Sequence, residues 1–570
     1  MIKKNKFHCN VQRKLKLLAI FCSLSIALFA QTKSISGVVK SAEDGETLVG
    51  VNVMVKGTTT GTITNIDGRY TLTVPNSDAV LVFSMIGMQK AEQKVGANTI
   101  INITLSSDTR LIDEVVVTGY STQKKADLTG SVTIVDINDL KKVNNSNAMQ
   151  SLQGKVAGMI VTGDGSPSGA GTTVRLRGIG TLNNNDPLYI VDGVPTKEGI
   201  NLLNPNDIES IQVLKDASSA TIYGSRAANG VIIITTKKAK DGSLQITANA
   251  RTTYSFYSSK LSVLDAQGYG QAFWQAKVND GLDPNANSIS YQFDWAKDAN
   301  GTPVLNKIIL PDYLNTAKTL KTANTDWFDA VSQVGASKNY DVTLTNGTEK
   351  GHSLVTLDYT KNDGIIKTTN FERVTARINT DYKLINNKLL VGENLSLSRS
   401  SQVDNNVLDA ALQALPIIPI RTVDGIGWGG PVGGMNDRQN PVRLLEDNKQ
   451  NNSINLRIFG NLFADFEIIK NLHLKTNLGV DYISTNYRNM QLTYQSGYLS
   501  NATNNVTNYQ GSSSNWVWSN TLNYQLNKKK HALDAMIGTE MVYHGDESFY
   551  ATRENFELQD PDYMYLSGLS

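Results

Sequence analysis

Apolar and polar residues alternate along much of this chain with a period of two, the signature of strands buried on one face. Val51, Val53 and Val55 alternate with Asn52, Met54 and Lys56. The same period runs longer further on. Ile454, Leu456, Ile458, Gly460, Leu462, Ala464, Phe466 and Ile468 share one face, and Asn455, Arg457, Asn461, Asp465 and Glu467 mostly take the other. After Lys470-Asn471 it resumes with Leu472, Leu474, Leu478, Val480 and Tyr482. It continues through Trp516, Trp518, Leu522, Tyr524 and Leu526, and beyond an NKKK turn through Leu533, Ala535, Ile537, Met541 and Tyr543. Helical spacing appears at Met149, Leu152 and Val156, and Gly158 ends it.

These patterns divide the chain. Residues 34–106 read as short strands punctuated by Asp67-Gly68 and Pro75-Asn76, the spacing of a small β-sandwich. Asn65 to Gly68 has the outline of a calcium loop, but downstream acidic ligands are missing and a hairpin turn is expected. Residues 121–240 shift to Gly, Asn and Ser with short strands at 173–177, 188–191 and 231–234, the last a continuous buried run; Ile208, Ile211 and Val213 are expected in a helix-to-strand element. The Gly/Asn loops there are read as turn geometry before ligand contact. Arg177 to Gly180 lacks the third glycine and the strand-to-helix setting of a phosphate loop.

Residues 241–570 carry strands of about ten or more residues, apolar on one face only, which describes a transmembrane β-barrel more closely than a soluble sandwich with strands of about five to six. The connectors 262–330 and 401–452 are the expected outer loops, and Tyr340, Tyr359, Trp516 and Trp518 the expected border aromatics. Roughly ten strands are recognisable, too few to close around a plug of about 120 residues, which needs roughly 22 strands. The terminal YMYLSGLS also lacks a closing amphipathic strand, so a piece of a longer protein is expected.

Charge and cysteine sharpen the setting. Residues 1–30 hold Lys3, Lys4, Lys6, Arg13, Lys14 and Lys16, no acid, and the apolar run LLAIFCSLSIALFA ending at Ala30, the layout of a cleaved export signal. A run of fourteen residues falls short of the roughly 20 that span a bilayer. The remainder is near neutral, with 54 Lys and Arg against 52 Asp and Glu in the whole chain, so nucleic acid is not an expected partner. Both cysteines, Cys9 and Cys22, lie in the signal, which removes disulfides, thiol catalysis and thiolate metal sites from the mature chain. The five histidines are scattered, and no nucleophile–base or metal constellation is evident; no catalytic residue, metal or cofactor is expected.

LIDEVVVTGY (111–120) is a β-prone strand on a polar tether. Val115, Val116 and Val117 supply strand propensity, while Asp113, Glu114 and Gly119 oppose aggregation. The alternative is a last strand of the preceding sandwich. GVV…GVNVMVKGTTTGTITNIDGRYTLTVP resembles the carboxypeptidase regulatory-like, transthyretin-like sandwich. The words DEVVVTGY, LQGKVAGMIV, VRLRGIGTLNNNDPLYIVDGVP and NPNDIESIQVLKDASSATIYGSRAANGVIIITTK follow in order, and together with TANTDWFDAV (322–331) they resemble the SusC/RagA-like TonB-dependent outer-membrane transporters.

The resemblance implies a mainly β chain: signal peptide (1–30), sandwich (34–106), TonB box (111–120), α+β plug (121–240) and an incomplete antiparallel barrel (241–570). The TonB box comprises Asp113, Glu114, Val115, Val116, Val117, Thr118, Gly119 and Tyr120, a strand that an energy-coupling protein captures by β-addition. The plug signature comprises Arg175, Arg177, Gly178, Asp192, Gly193, Tyr223, Gly224, Arg226, Asn229 and Gly230. Implied partners are a TonB-type protein, a SusD-like lipoprotein, outer-membrane lipids and a glycan or peptide ligand, with sandwich and box on the periplasmic side. The rival reading is a surface adhesin whose sandwich is the working part.

Overall fold

The computed structural model describes residues 33–567 apart from 43–44, 59, 86–87, 107–114, 119–120, 125–131, 136, 138–146, 183, 197–202, 217–220, 260, 287–289 and 529–530. The export signal, Asp113, Glu114, Gly119 and Tyr120 therefore lie outside the described residues. The chain divides into two compact units, one formed mainly by residues up to 116 and one by residues from 128 onward.

The first unit is the expected sandwich. Lys33–Ser41 pairs with Arg69–Val74 and Ile103–Leu105, and Asn52–Val55 lies between Gly61–Ile63 and Val80–Ser84, with Ala91–Lys94 beyond. The alternating Val51, Val53 and Val55 point inward and pack with Ile35, Val39, Leu72, Leu81 and Phe83. At the 65–68 hairpin the Asn65 side chain accepts from the amides of Asp67 and Arg69 at 3.1 and 2.8 Å, an Asx turn. Tyr70 donates to the Ile101 carbonyl at 2.8 Å, and burial pushes its phenol up to about 12.

Val115–Thr118 and Ser121–Lys124 are short strands that pair with each other.

In the second unit a five-stranded sheet orders Val132–Val135, Ile208–Leu214, Val231–Thr236, Leu188–Val191 and Val194–Thr196. Both faces are covered, with Val191, Val213 and Ile234 in one cluster and Ile190, Leu214 and Ile233 in another, which is why 231–234 reads as an unbroken apolar run. The helical spacing at 149–156 yields only a 3-10 turn at Gln150–Leu152, although Met149, Leu152 and Val156 are buried as the spacing requires. Gly154 and Gly158, both with φ above +70°, break the run before a second turn can form. The element at 204–214 is likewise a 3-10 turn, Pro205–Asp207, followed by strand.

Around this plug runs a nine-stranded antiparallel wall. We label its strands β1 (Gly242–Ser255), β2 (Gly335–Thr348), β3 (Gly351–Asp363), β4 (Asn370–Leu384), β5 (Leu389–Val403), β6 (Ser453–Ile469), β7 (Leu472–Gln491), β8 (Asn505–Lys528) and β9 (His531–Glu554). Each pairs with its sequence neighbour, and β1 and β9 do not pair with each other, so the wall is an open part of a barrel. Connections of two to four residues follow β2, β4, β6 and β8 at one end, and the long ones lie at the other. The expected alternation holds. In β6, Leu456, Ile458 and Leu462 are exposed on the outer surface, while Arg457, Phe459 and Asn461 are buried toward the plug. On that outer surface Tyr340 stacks on Tyr359 and Trp516 on Tyr543, at centroid distances of 6.3 and 5.7 Å.

The long connectors are folded. Helices α1 (Ala266–Asn279), α2 (Trp327–Val331), α3 (Leu408–Gln413) and α4 (Pro441–Asn448) share a core of Trp274, Phe293, Trp327, Ile417, Ile418 and Leu445. The NTDW run stitches them together: Asn324 accepts from the Ala266 amide at 2.8 Å, Asp326 caps α2, and the Trp327 indole donates to the Leu415 carbonyl at 3.0 Å.

A Cβ at Gly37 would sit 1.8 Å from the Ile101 carbonyl oxygen. Gly37→Ala is therefore expected to destabilise the sandwich by about 1–3 kcal/mol, read as faster amide exchange at Val53 and Leu81 with the wall unaffected.

Candidate functional site: the plug–wall interface

Period-two strands facing a plug put polar side chains on a surface that is then sealed from bulk water, so each buried charge needs a partner. Several plug segments meet this need. The Asp192-Gly193 turn joins two strands of the plug sheet, and both residues have positive φ, 49° and 83°, as a two-residue hairpin demands. This turn holds Asp192 where it accepts from the Thr236 amide at 2.9 Å and hydroxyl at 2.6 Å, and from Arg377 of β4 at 2.9 Å. Arg377 also donates to the Thr236 hydroxyl at 2.5 Å. Asn379, next on the same face, donates to the Lys237 carbonyl at 2.8 Å.

Thr196, at the end of the hairpin, donates to Asp481 of β7 at 2.7 Å, and Arg457 of β6 closes the triangle with a bidentate contact to Asp481 at 2.7 and 2.8 Å. Asn204 and Asn206 flank Pro205 and donate to Asp358 of β3 and Asp341 of β2 at 2.7 and 3.0 Å. Asp358 pairs with Arg373 at 3.3 Å, and both are buried. Arg226 meets Glu540 of β9 at 2.7 Å; this pair keeps 30% and 28% of its side-chain surface exposed, whereas Asp192–Arg377 keeps 5% and 3%.

Asp207 sits buried within the same interface. Burial pushes its carboxyl up to about 6, the charge of Asp358 adding to that while Arg377, Lys237 and Arg373 oppose it.

Of the sequence-predicted plug residues, the structure brings Asp192, Gly193 and Arg226 to the wall. Arg175 and Arg177 form ion pairs inside the plug with Asp186 and Asp216, and Asn229 donates to the Asn184 carbonyl at 3.0 Å. Tyr223 is buried in the plug core and Gly224 kinks the 3-10 segment around it. Gly178 has φ +96° beside Arg177, and Gly230 has φ +87°, where a Cβ would lie 2.6 Å from Leu176. Asn185 accepts from the amides of Gly180 and Thr181, both at 2.9 Å, so this Asn-rich loop uses its side chains for turns. One His-x-x-Glu spacing does occur, His544 to Glu547, but residues three apart on β9 face opposite sides of the wall, and His544 contacts Asn515 and Asp546.

Sequence reasoning missed Thr196, Asn204, Asn206 and Thr236, and every wall partner. The available signal was the inward register of β2 to β7, where Asp341, Asp358, Arg373, Arg377, Arg457 and Asp481 interrupt what periodicity alone marks as the polar face.

Residues 35–117 match the CarboxypepD_reg-like domain and 124–231 the TonB-dependent Receptor Plug Domain. A plug clasped by an open strand wall, behind such a domain, defines a TonB-dependent receptor. Similarity extends well beyond the two domains. The chain is 33% identical to the TonB-dependent receptor SusC of Bacteroides thetaiotaomicron over 95% of its length and 53% of that protein. It is 30% identical to TonB-dependent receptor P3 of Formosa agariphila, covering 98% of this chain and 53% of P3. The RagAB peptide importer in its open-open state superimposes with TM-score 0.65 at 26% identity, over 80% of this chain and 52% of that one. The chain belongs to the SusC/RagA-like TonB-dependent receptors, proteins of the outer membrane, and spans about half the length of the curated relatives it matches.

Two outcomes follow from this geometry. Asp192→Asn leaves Arg377 buried without its counter-charge, and is expected to cost about 3–5 kcal/mol, read as a lowered urea midpoint for the plug. For Asp207, the folded pKa of about 6 lies above the ordinary aspartate value, so as pH falls through 6 the folded state takes up a proton before the unfolded one does. Its burial penalty, about 2–3 kcal/mol above pH 7, therefore fades between pH 6 and 4. Asp207→Asn should be more stable than the parent at pH 7.5, with the difference vanishing near pH 4 in paired urea titrations.

Proposed function

We propose that this protein imports a nutrient across the outer membrane, driven by a TonB-type coupling protein that captures the 113–120 segment and working with a SusD-like surface lipoprotein. The observation that carries this reading is the plug itself, a folded sheet held inside a transmembrane wall by side-chain clasps and preceded by a β-prone strand at Val115–Thr118. A short strand supplies main-chain groups for addition to a partner's sheet edge. Pulling on it delivers work to the plug's N-terminal edge strand, Val132–Val135, which pairs with Ile208–Leu214 over four residues only. The short-turn end then faces the periplasm, since the plug enters β1 there, and the folded cap of α1 to α4 faces outward, where a lipoprotein lid would deliver ligand.

The ligand is an oligosaccharide or a peptide too large for passive pores; likeness to a peptide importer keeps the second class in view. The transport step moves the ligand without covalent chemistry, so no residue is assigned a catalytic part.

Deleting 113–118 should abolish growth on the imported nutrient while leaving binding to intact cells within about twofold. Growth that survives the deletion would rule out coupling through this strand.

A further inference from the structure

A plug loop, residues 163–171, reaches the long-loop end of the wall. Gly165 and Gly169 have φ of +77° and +64° and flank Ser166-Pro167-Ser168. The buried Asn147 ties the loop to the plug core, donating to the Gly169 carbonyl at 3.0 Å and accepting from the Met149 amide at 2.8 Å. On the wall side, Asn362 of β3 donates to the Pro167 carbonyl at 2.9 Å. Ser337 of β2 donates to the Asn362 side-chain oxygen at 2.5 Å, which turns the amide nitrogen toward the plug. Two residues on, a Cβ at Gly364 would lie 2.8 Å from Pro167 Cγ, so the proline ring rests on bare backbone.

Gly364 opens the β3–β4 connection, residues 364–369, and that connection belongs to the cap. Gln333, just beyond α2, donates from its side chain to the Gly364 carbonyl at 3.0 Å and from its amide to the Ile365 carbonyl at 2.8 Å. Lys367 returns the bonds, its amide to Val331 at 2.9 Å and its ammonium to Ala330 at 2.7 Å, while Ile366 packs on the cap core. The surface that receives Pro167 is therefore positioned by α2. An opposing force sits on the same loop: the charge of Asp164 acts against that of Asp404, just past the end of β5.

We infer that this contact is an interlock: the cap holds loop 163–171 against the wall, and a shift of the cap frees that loop and loosens the plug at its long-loop end. The inference rests on the transport reading and adds regulation to it, because a ligand or lid settling on the cap would reach the plug by this route. One neutral hydrogen bond and one ring contact are a weak hold, and both lapse on a displacement of about 1 Å. Repulsion between Asp164 and Asp404 then carries the loop away, and the glycines at 165 and 169 let the chain between them swing. The buried clasps at Asp192, Thr196 and Asn204 are untouched by such a shift.

The test is hydrogen exchange on the intact protein purified from the outer membrane, followed at Gly169 and Thr172, whose amides bond within the loop at 3.1 Å. Asn362→Ala severs the plug side and should speed exchange there about fivefold. Gln333→Ala combined with Lys367→Met severs side-chain bonds on the cap side and should speed it about threefold. Added to Asn362→Ala, this cap pair should change nothing further, since both act through one contact. Asp404→Asn should slow exchange about twofold. Val213 and Ile232, paired within the plug sheet, should keep the parental rate throughout. An unchanged rate at Gly169 and Thr172 in either latch variant, an additive effect of the two, no slowing with Asp404→Asn, or a rise shared equally by Val213 and Ile232 would each overturn the interlock. Exchange is read without any nutrient uptake, so the growth test on deleting 113–118 stands or falls separately.

Discussion

A main-chain donor or acceptor facing hydrocarbon without a partner costs several kcal/mol, and that single penalty organises this molecule. It forces the wall segments between residues 242 and 554 into long strands whose ladders run with few register shifts from β1 to β9. Strand geometry then sends successive side chains to opposite faces, so an apolar outer face entails an inner face free to be polar. That inner face is where Asp341, Asp358, Arg377, Arg457 and Asp481 reside, and it is the only surface on which a plug can be held by directional bonds and still be released. Polar clasping is thus a consequence of crossing the membrane with strands.

The clasps differ in kind. Arg457 and Asp481 are a self-contained pair on neighbouring strands, and Thr196 merely adds a hydroxyl to it, so withdrawing the plug leaves both wall charges partnered. Asp358 and Arg373 behave the same way toward Asn204. Arg377 is different, because its carboxylate partner Asp192 belongs to the plug. The plug is therefore bound mostly by neutral donors to charges the wall has already satisfied, with one fully buried charge–charge contact as its firm point.

Much of this was legible in the chain. Period-two alternation located β6 to within a residue at each end and the halves of β7, β8 and β9 next to the short turns, and Val231 to Ile234 announced a strand covered on both sides. Helical periodicity failed at Met149, Leu152 and Val156, because burial repeats at that spacing but two glycines with positive φ end the helix before it forms. The site was legible only in part. Asp192 and Gly193 stand out as a turn that needs left-handed backbone, whereas Arg175 and Arg177, equally prominent as words, serve the plug's own loops. Wall partners such as Arg377 lie 185 residues from Asp192, and no local pattern encodes a pairing at that separation.

The cap over the long-loop end has its own core, built around Trp274, Trp327, Ile417 and Leu445 and tied by the Trp327 indole and the Asn324 amide carbonyl. Loops that share a core are inherited as a block: a change at Trp327 is felt by all three other helices, while tips such as Val423 and Ile426, 60% and 79% exposed, keep their side chains out of that core. On the proposed orientation, the outward surface is thus divided into a frame that resists mutation and a fringe open to drift. Under pressure from antibodies or phages, variation would collect on the fringe and leave the entrance intact.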